Sequence, residues 1–157
     1  RFLIMKINSN KPVLFLDVDG VLNKHKESGK DSGLDIKKCE LIKQLIEQVE
    51  DLQIILSSAW RYMGYGKDSV FQQCLRGIGI DDWPIIGMTE LENTIENRDV
   101  TIWKFVFKNK LKNWAVLDDL ECISKLGRRA VQTDSKKGVS KKDIRKIANI
   151  LNRKNVY

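Results

Sequence analysis

The sequence predicts an α/β fold, a Rossmann-like open sheet of about five mostly parallel strands with helices on both faces. Two observations indicate this class. Short apolar runs with the length of buried strands alternate along the chain with longer segments of helical periodicity. The composition, 42% hydrophobic residues in a chain of 157, is typical of a globular protein without disordered segments. We therefore expect residues 1–157 to form a single domain.

The predicted strands are short apolar runs that mostly stop at acidic or small polar residues. They are Val13–Leu16, Ile54–Leu56, Pro84–Gly87, Trp114–Leu117 and Ala130–Thr133. A continuous apolar run predicts a strand that is buried on both faces, as strands are in a parallel sheet.

The predicted helices follow from apolar spacing and from residues that begin helices. The first starts at Ile36, after the N-cap candidate Asp35, and the second covers 68–78. The third covers 98–108, and the fourth opens at a capping box that begins at Ser140. The apolar face of the third helix is predicted to comprise Val100, Trp103, Val106 and Phe107. We expect Trp103 and Trp114 to lie in the core.

Charge and cysteine content limit the classes of function. The net charge of +7 and the isoelectric point near 9.3 are compatible with a polyanionic partner. Three cysteines without CxxC spacing are typical of reduced thiols, so we expect no disulfides, no zinc site and a cytoplasmic location. No apolar run approaches the ~20 residues of a membrane-spanning helix, and no signal peptide is evident.

Polar side chains follow three of the predicted strands at the point where each strand ends. They are Asp17 and Asp19, Ser57 and Ser58, and Asp118 and Asp119. Because ligands bind beyond the carboxyl ends of the strands in open α/β sheets, we expect these groups to share one edge. Four carboxylates in one cleft repel one another, and a hard divalent cation such as Mg²⁺ relieves that repulsion.

These residue types suit phosphoryl transfer. A carboxylate can attack phosphorus, and a second acid two residues later can protonate the leaving oxygen and then activate water. A serine at a strand end can bind phosphate oxygens, and Gly20 lets the backbone come close to a substrate. The alternative for DVDG is a calcium loop, but a strand precedes it and the glycine stands at the fourth position rather than the sixth.

Three segments resemble motifs of the haloacid dehalogenase (HAD) superfamily of phosphohydrolases. FLDVDGVLN from Phe15 resembles the first motif, IILSSAWR from Ile54 the second and WAVLDD from Trp114 the fourth. Within the superfamily, the chain is similar to the small HAD domain of multi-domain RNA-repair proteins of the polynucleotide kinase-phosphatase type.

The resemblance implies roles for the residues at the strand ends. Asp17 is expected to be the nucleophile and Asp19 the general acid and base. Mg²⁺ is expected to be held by Asp17, by the Asp19 backbone carbonyl and by Asp118 or Asp119. The expected phosphate-binding residues are Ser57, Ser58 and Gly20.

The third motif of the superfamily supplies a basic residue, and the sequence offers two candidates for it. Arg98 is preferred because RDVTIWKF resembles the corresponding helix of related domains, and Lys104 is the alternative. Either side chain would neutralise charge during phosphoryl transfer.

The expected substrate follows from the absence of a segment long enough for a cap domain and from the expected positions of basic residues. No segment is long enough for a cap domain, and by fold-level analogy an open site admits a phosphate on a large molecule. Arg61, Lys136 and Lys137 are expected to bind substrate. We expect a Mg²⁺-dependent phosphatase acting on a phosphorylated nucleic-acid end. The alternatives are a phosphatase for nucleotides or phosphoproteins, and a nucleic-acid-binding module without catalysis.

Overall fold

A computed structural model describes residues 7–23, 33–57, 66–67, 69–89 and 97–153. Its strands are β1 Val13–Leu16, β2 Gln53–Leu56, β3 Ile85–Met88, β4 Trp114–Asp118 and β5 Ala130–Gln132. They form one open sheet in the order β3-β2-β1-β4-β5, and every pairing is parallel. The predicted fold class is confirmed. β3 begins one residue after Pro84, which has no N–H to donate to the sheet.

Four α-helices accompany the sheet in the part of the chain that the structure describes. They are α1 Ile36–Gln48, α2 Val70–Gly77, α3 Arg98–Asn109 and α4 Lys141–Asn152. Asp35 caps α1, and the capping box predicted at Ser140 opens α4. No helix in the described ranges is both long enough and apolar enough to cross a membrane.

A 3₁₀ segment, Glu121–Arg129, joins β4 to β5 and is absent from the prediction. It bends at Gly127, which has a φ of 65°. Its one buried residue is Ile123, so no repeating apolar spacing marks it in the sequence.

The helices cover both faces of the sheet, as predicted. Leu14 and Leu16 of β1 belong to an apolar cluster completed by α1, α2 and α4. Phe15, between them in the chain, belongs to a second cluster that α3 and the 3₁₀ segment cover. Successive strand residues point to opposite faces, and β1 is fully buried on both because it is the central strand.

The predicted apolar face of α3 is wrong for three of its four residues, since only Val106 is buried. Val100, Trp103 and Phe107 are 43%, 54% and 80% exposed, whereas Trp114 is buried as expected. The side of α3 that packs on the sheet carries Ile102 and Val106. Apolar residues occur on several sides of this helix, so spacing alone did not determine which side is buried.

Two phenylalanines provide a matched test of this packing. Phe15 is fully buried, with its ring edge-on to Phe105 at 5.5 Å and to Trp114 at 6.1 Å, whereas Phe107 is 80% exposed. Phe15→Ala should lower the free energy of unfolding by about 3–5 kcal/mol. Phe107→Ala should change it by less than about 0.5 kcal/mol. Urea unfolding followed by circular dichroism measures both, and equal losses would contradict the orientation of α3.

Candidate active site

The register of the sheet places Asp17, Ser57 and Asp118 side by side at its carboxyl edge. Leu16 of β1 is in register with the leucines that precede Ser57 and Asp118. The Ser57 N–H donates to the Leu16 carbonyl at 3.0 Å. The Asp17 N–H donates to the carbonyl before Asp118, also at 3.0 Å. Backbone hydrogen bonding therefore fixes the positions of all three residues.

Strand alternation directs these three side chains towards α3. Each lies two residues after a member of the apolar cluster that α3 covers, namely Phe15, Ile55 and Val116. Side chains two residues apart on a strand point the same way, so the polar groups project on the α3 side of the sheet. The first residue of α3 at this edge is Arg98.

Arg98 forms ion pairs with two of the carboxylates. Its Nη1 lies 3.1 Å from Oδ1 of Asp17 and 2.9 Å from Oδ2 of Asp118. The three side chains are 12%, 4% and 0% exposed, so solvent screens these pairs weakly. The other carboxylate oxygen of Asp118 accepts a hydrogen bond from the Leu120 N–H at 2.9 Å. One guanidinium thus joins α3 to the ends of β1 and β4.

Asp119 completes a cluster of three carboxylates. One oxygen from each of Asp17, Asp118 and Asp119 lies within 4.8 Å of the others. Burial raises the pKa of Asp17 well above its usual value, and the charge of Asp118 raises it further, against the effect of Arg98. Burial also raises the pKa of Asp118, although Arg98 and the Leu120 N–H oppose this shift. The Arg98 charge leaves the repulsion among three carboxylates only partly compensated.

The carboxylate cluster can hold a metal ion. Its donors are all oxygens, which suits a hard divalent cation such as Mg²⁺ or Ca²⁺ better than a metal that prefers nitrogen or sulfur ligands. The incompletely compensated negative charge favours the same kind of ligand.

A tight turn after β1 positions Asp19. Gly20 has a φ of 78°, and a Cβ added there would overlap the carboxylate of Asp119. The Asn23 side chain closes the turn by accepting from the Gly20 N–H at 3.1 Å and donating to Oδ1 of Asp19 at 3.0 Å. The Thr133 hydroxyl donates to the Gly20 carbonyl at 2.8 Å. Asn23 therefore orients this loop.

The carboxylate of Asp19 does not join the cluster, although four carboxylates were expected in one cleft. Among the described residues, the cluster contains three aspartates. The turn at Gly20 and the hydrogen bond from Asn23 hold the Asp19 side chain apart. The metal contact that the resemblance implies at position 19 uses the backbone carbonyl and needs no such side-chain approach.

The other expected site residues lie at different distances from this centre. Ser57 is 1% exposed at the end of β2, level with Asp17. Lys136 and Lys137 are exposed in the turn that follows β5, near the carboxyl edge of the sheet. Lys104 lies on an exposed side of α3, six residues after Arg98. Ser58 and Arg61 fall outside the described residues.

The turn after β5 supports the turn after β1 through contacts that the sequence did not predict. Besides the Thr133 hydroxyl, the Val139 N–H donates to the Val21 carbonyl at 2.8 Å, and Lys38 Nζ donates to the Val139 carbonyl at 2.7 Å. The available signal was positional. Thr133 directly follows a strand of the sheet, as Asp17 and Ser57 do.

Comparison with protein families agrees with this geometry. A family model described as the HAD domain in Swiss Army Knife RNA repair proteins matches residues 13–144. The chain belongs to this family. No curated protein and no solved structure matches the chain. The matched span contains all three motifs identified in the sequence and the basic residue that opens α3, so this HAD domain includes the whole carboxylate cluster.

Gly20→Ala should destabilise the protein. A side chain in the left-handed region costs about 1–2 kcal/mol, and overlap with the Asp119 carboxylate adds to that cost. Gly77→Ala is the control, because nothing lies within 4 Å of a Cβ added at the end of α2. Urea unfolding should show a loss of more than about 1 kcal/mol for Gly20→Ala and none for Gly77→Ala. An unaffected Gly20→Ala variant would refute the close approach.

Asp17→Asn should raise the stability of the metal-free protein at neutral pH. The folded-state pKa of Asp17 is raised, so the folded protein binds more protons than the unfolded one between the two pKa values. Stability therefore falls as pH rises through that interval, and the ionised carboxylate remains unfavourable above it. The measurement is the thermal midpoint in EDTA, with the exposed Asp81→Asn as control. A lower midpoint for Asp17→Asn would mean that its ion pair with Arg98 outweighs burial.

Proposed function

We propose that this domain is a Mg²⁺-dependent phosphomonoester hydrolase that removes a terminal phosphate from a nucleic acid. The observation that carries the proposal is the Asp17 carboxylate at the end of the central strand. It is paired with Arg98 and faces the carboxylates of Asp118 and Asp119. A nucleophile, a cation and metal ligands converge on one point, which is the arrangement that phosphoryl transfer requires. Membership of a HAD family supports the same chemistry.

In the first step, a carboxylate oxygen of Asp17 forms a bond to phosphorus. The bond between phosphorus and the leaving oxygen breaks, and Asp19 gives its proton to that oxygen. The product is an aspartyl-phosphate, and the dephosphorylated end leaves with a hydroxyl group. Asn23 holds the Asp19 side chain through its hydrogen bond during this transfer.

In the second step, Asp19 accepts a proton from water as the water oxygen attacks phosphorus. The bond between phosphorus and Asp17 breaks, which releases inorganic phosphate and restores both carboxyl groups to their starting states. Arg98 stabilises the negative charge on the transferring group in both steps.

Mg²⁺ would be held by Asp17, by Asp118 and Asp119, and by the Asp19 carbonyl. When bound, it supplies positive charge that neutralises the carboxylates and the phosphate oxygens. Ser57, with Ser58 and the backbone at Gly20, would bind the remaining phosphate oxygens.

Three features support a nucleic-acid end as the substrate. The connections 17–35 and 89–97, where cap domains are inserted in related folds, are too short for one. The net charge of the whole chain is +7. Lys136 and Lys137 lie near this edge and, with Arg61, would bind the phosphate backbone. The family is described by its occurrence in RNA repair proteins.

The substrate is tested by phosphate release from matched oligonucleotides phosphorylated at the 5′ or the 3′ end, with Mg²⁺ or EDTA. Mononucleotides and a phosphopeptide are the comparison substrates. We expect Mg²⁺-dependent release from one type of oligonucleotide end at a rate well above that for the comparison substrates. Faster release from mononucleotides or phosphopeptides would assign the domain to small or protein substrates. No release from any substrate, together with salt-dependent oligonucleotide binding, would indicate a binding module.

Asp17→Asn tests whether Asp17 is the nucleophile. The variant should remain folded, as the stability prediction above states, so its activity can be interpreted. Activity should fall by three orders of magnitude or more, on the order seen when a covalent nucleophile is removed. Because the same substitution should stabilise the metal-free protein, unfolding would not explain the loss. Asp81→Asn should retain full activity. Full activity of Asp17→Asn would refute the mechanism.

Arg98 and Lys104 are separated by single substitutions assayed on a small aryl phosphate. The ion pairs of Arg98 predict that Arg98→Ala lowers kcat/KM by about 10²–10³-fold, since one charge-stabilising donor is lost. Lys104→Ala should leave it unchanged. Arg98→Lys retains a cation and should recover part of the loss, which guards against an unfolded Arg98→Ala variant. A larger loss for Lys104→Ala would reverse the assignment.

A further inference from the structure

A groove runs between α3 and the 3₁₀ segment. It has a volume of about 310 Å³ and is lined by Asp99, Val100, Trp103, Lys125 and Leu126. The two elements that form the groove begin near the carboxylate cluster, because α3 begins at Arg98 and the 3₁₀ segment begins two residues after Asp119. The rise of an α-helix places Trp103 about 8 Å along the helix axis from Arg98.

Trp103 forms a partly exposed aromatic surface in this groove. Its ring centre lies 5.9 Å from that of the buried Trp114, at an interplanar angle of 57°. Trp114 in turn lies under the Arg129 guanidinium, 5.4 Å from the ring centre. One side of Trp103 is thus held by packing while 54% of the residue remains exposed. Phe107, 80% exposed, lies one turn further along the same side of α3.

The polar groups of the groove distinguish between possible occupants. Lys125 lines it. The 3₁₀ segment that forms this wall has three basic residues and one acidic residue, Glu121, so its net charge is positive. Asp99 is 7% exposed, and its Oδ1 has no hydrogen-bond partner among the residues that the structure describes. A buried acceptor without a donor is unfavourable, and an apolar partner would leave it so. A base amino group or a sugar hydroxyl would donate to it.

From these contacts, we propose that the groove binds the unpaired nucleotides adjacent to the terminal phosphate, with a base stacked on Trp103. Aromatic stacking, a positively charged wall and a buried acceptor together match single-stranded nucleic acid, whose bases are free to stack. A duplex presents only base edges and phosphates, and a peptide would not require the positive wall. The link to catalysis rests on the proposed function, whereas nucleotide binding itself does not.

The test is binding of a short, fluorescein-labelled single-stranded RNA with hydroxyl groups at both ends, measured by anisotropy in EDTA. No phosphate can be released from this probe, so binding is measured apart from catalysis. Trp103→Ala should raise Kd by about tenfold, the loss expected for one stacked base, and Trp103→Phe should restore most of the affinity. Ile36→Ala, which removes a 47% exposed apolar side chain from α1, should not change Kd. A duplex of the same sequence should bind Trp103→Ala and the unsubstituted protein equally.

The charged wall is tested by the salt dependence of the same binding. Lys125→Ala should reduce the slope of log K against log salt concentration by about 1, because one phosphate contact is lost. Lys43→Ala, an exposed lysine on the opposite face of the sheet, should leave the slope unchanged. Asp99→Leu should weaken binding, because the nucleotide then has no carboxylate acceptor in the groove, and unchanged binding would refute that contact.

The outcomes separate this inference from the proposed function. Loss of binding in Trp103→Ala, without phosphate release from any oligonucleotide, would support the groove and refute the phosphatase. Phosphate release together with unchanged RNA binding by Trp103→Ala would refute the groove and leave the phosphatase intact. Absence of RNA binding by the unsubstituted protein would also refute the groove, as would equal losses in Trp103→Ala and Ile36→Ala.

Discussion

The ion pairs of Arg98 are the interaction on which the arrangement of this site depends. Two carboxylates at the ends of adjacent central strands are almost completely removed from water, and an isolated buried carboxylate is too costly to keep ionised. Arg98 supplies the opposite charge from the first turn of α3. A buried ion pair of this kind adds little net stability, but removal of Arg98 would leave two buried carboxylates without a cation, so the contact constrains geometry more than it strengthens the fold.

The same contact determines how α3 is rotated on the sheet. Ile102 stands one turn after Arg98 and must share its side of the helix, and Val106 stands one turn further. These two residues therefore fill the space above the sheet. Trp103 and Phe107 are directed outwards although they are the larger apolar side chains. An electrostatic requirement at the end of the helix thus takes precedence over burial of the largest hydrophobic groups.

The sequence predicted those parts of the fold that depend on local pattern. Short, mostly apolar runs located the five strands that the structure describes, and parallel pairing followed from their alternation with helices. Convergence of Asp17, Ser57 and Asp118 was predictable because the carboxyl ends of parallel strands share an edge. The buried side of α3 was not, because it depends on an ion pair with residues distant in sequence. The exclusion of Asp19 from the carboxylate cluster likewise depends on the Asn23 hydrogen bond and on the backbone at Gly20.

α3 carries a residue for the proposed chemistry and a residue for the proposed nucleic-acid binding, so the distance between the two sites is fixed by one helix. Its first residue pairs with the carboxylate that would attack phosphorus, and its outer face carries the ring on which a base would stack. The separation between these two points is set by helical rise and does not depend on a mobile loop. A strand stacked on Trp103 would therefore reach Asp17 at a fixed number of nucleotides from the stacked base. Under the proposed function, this spacing would provide the selection that a closing cap domain provides in enzymes for small substrates.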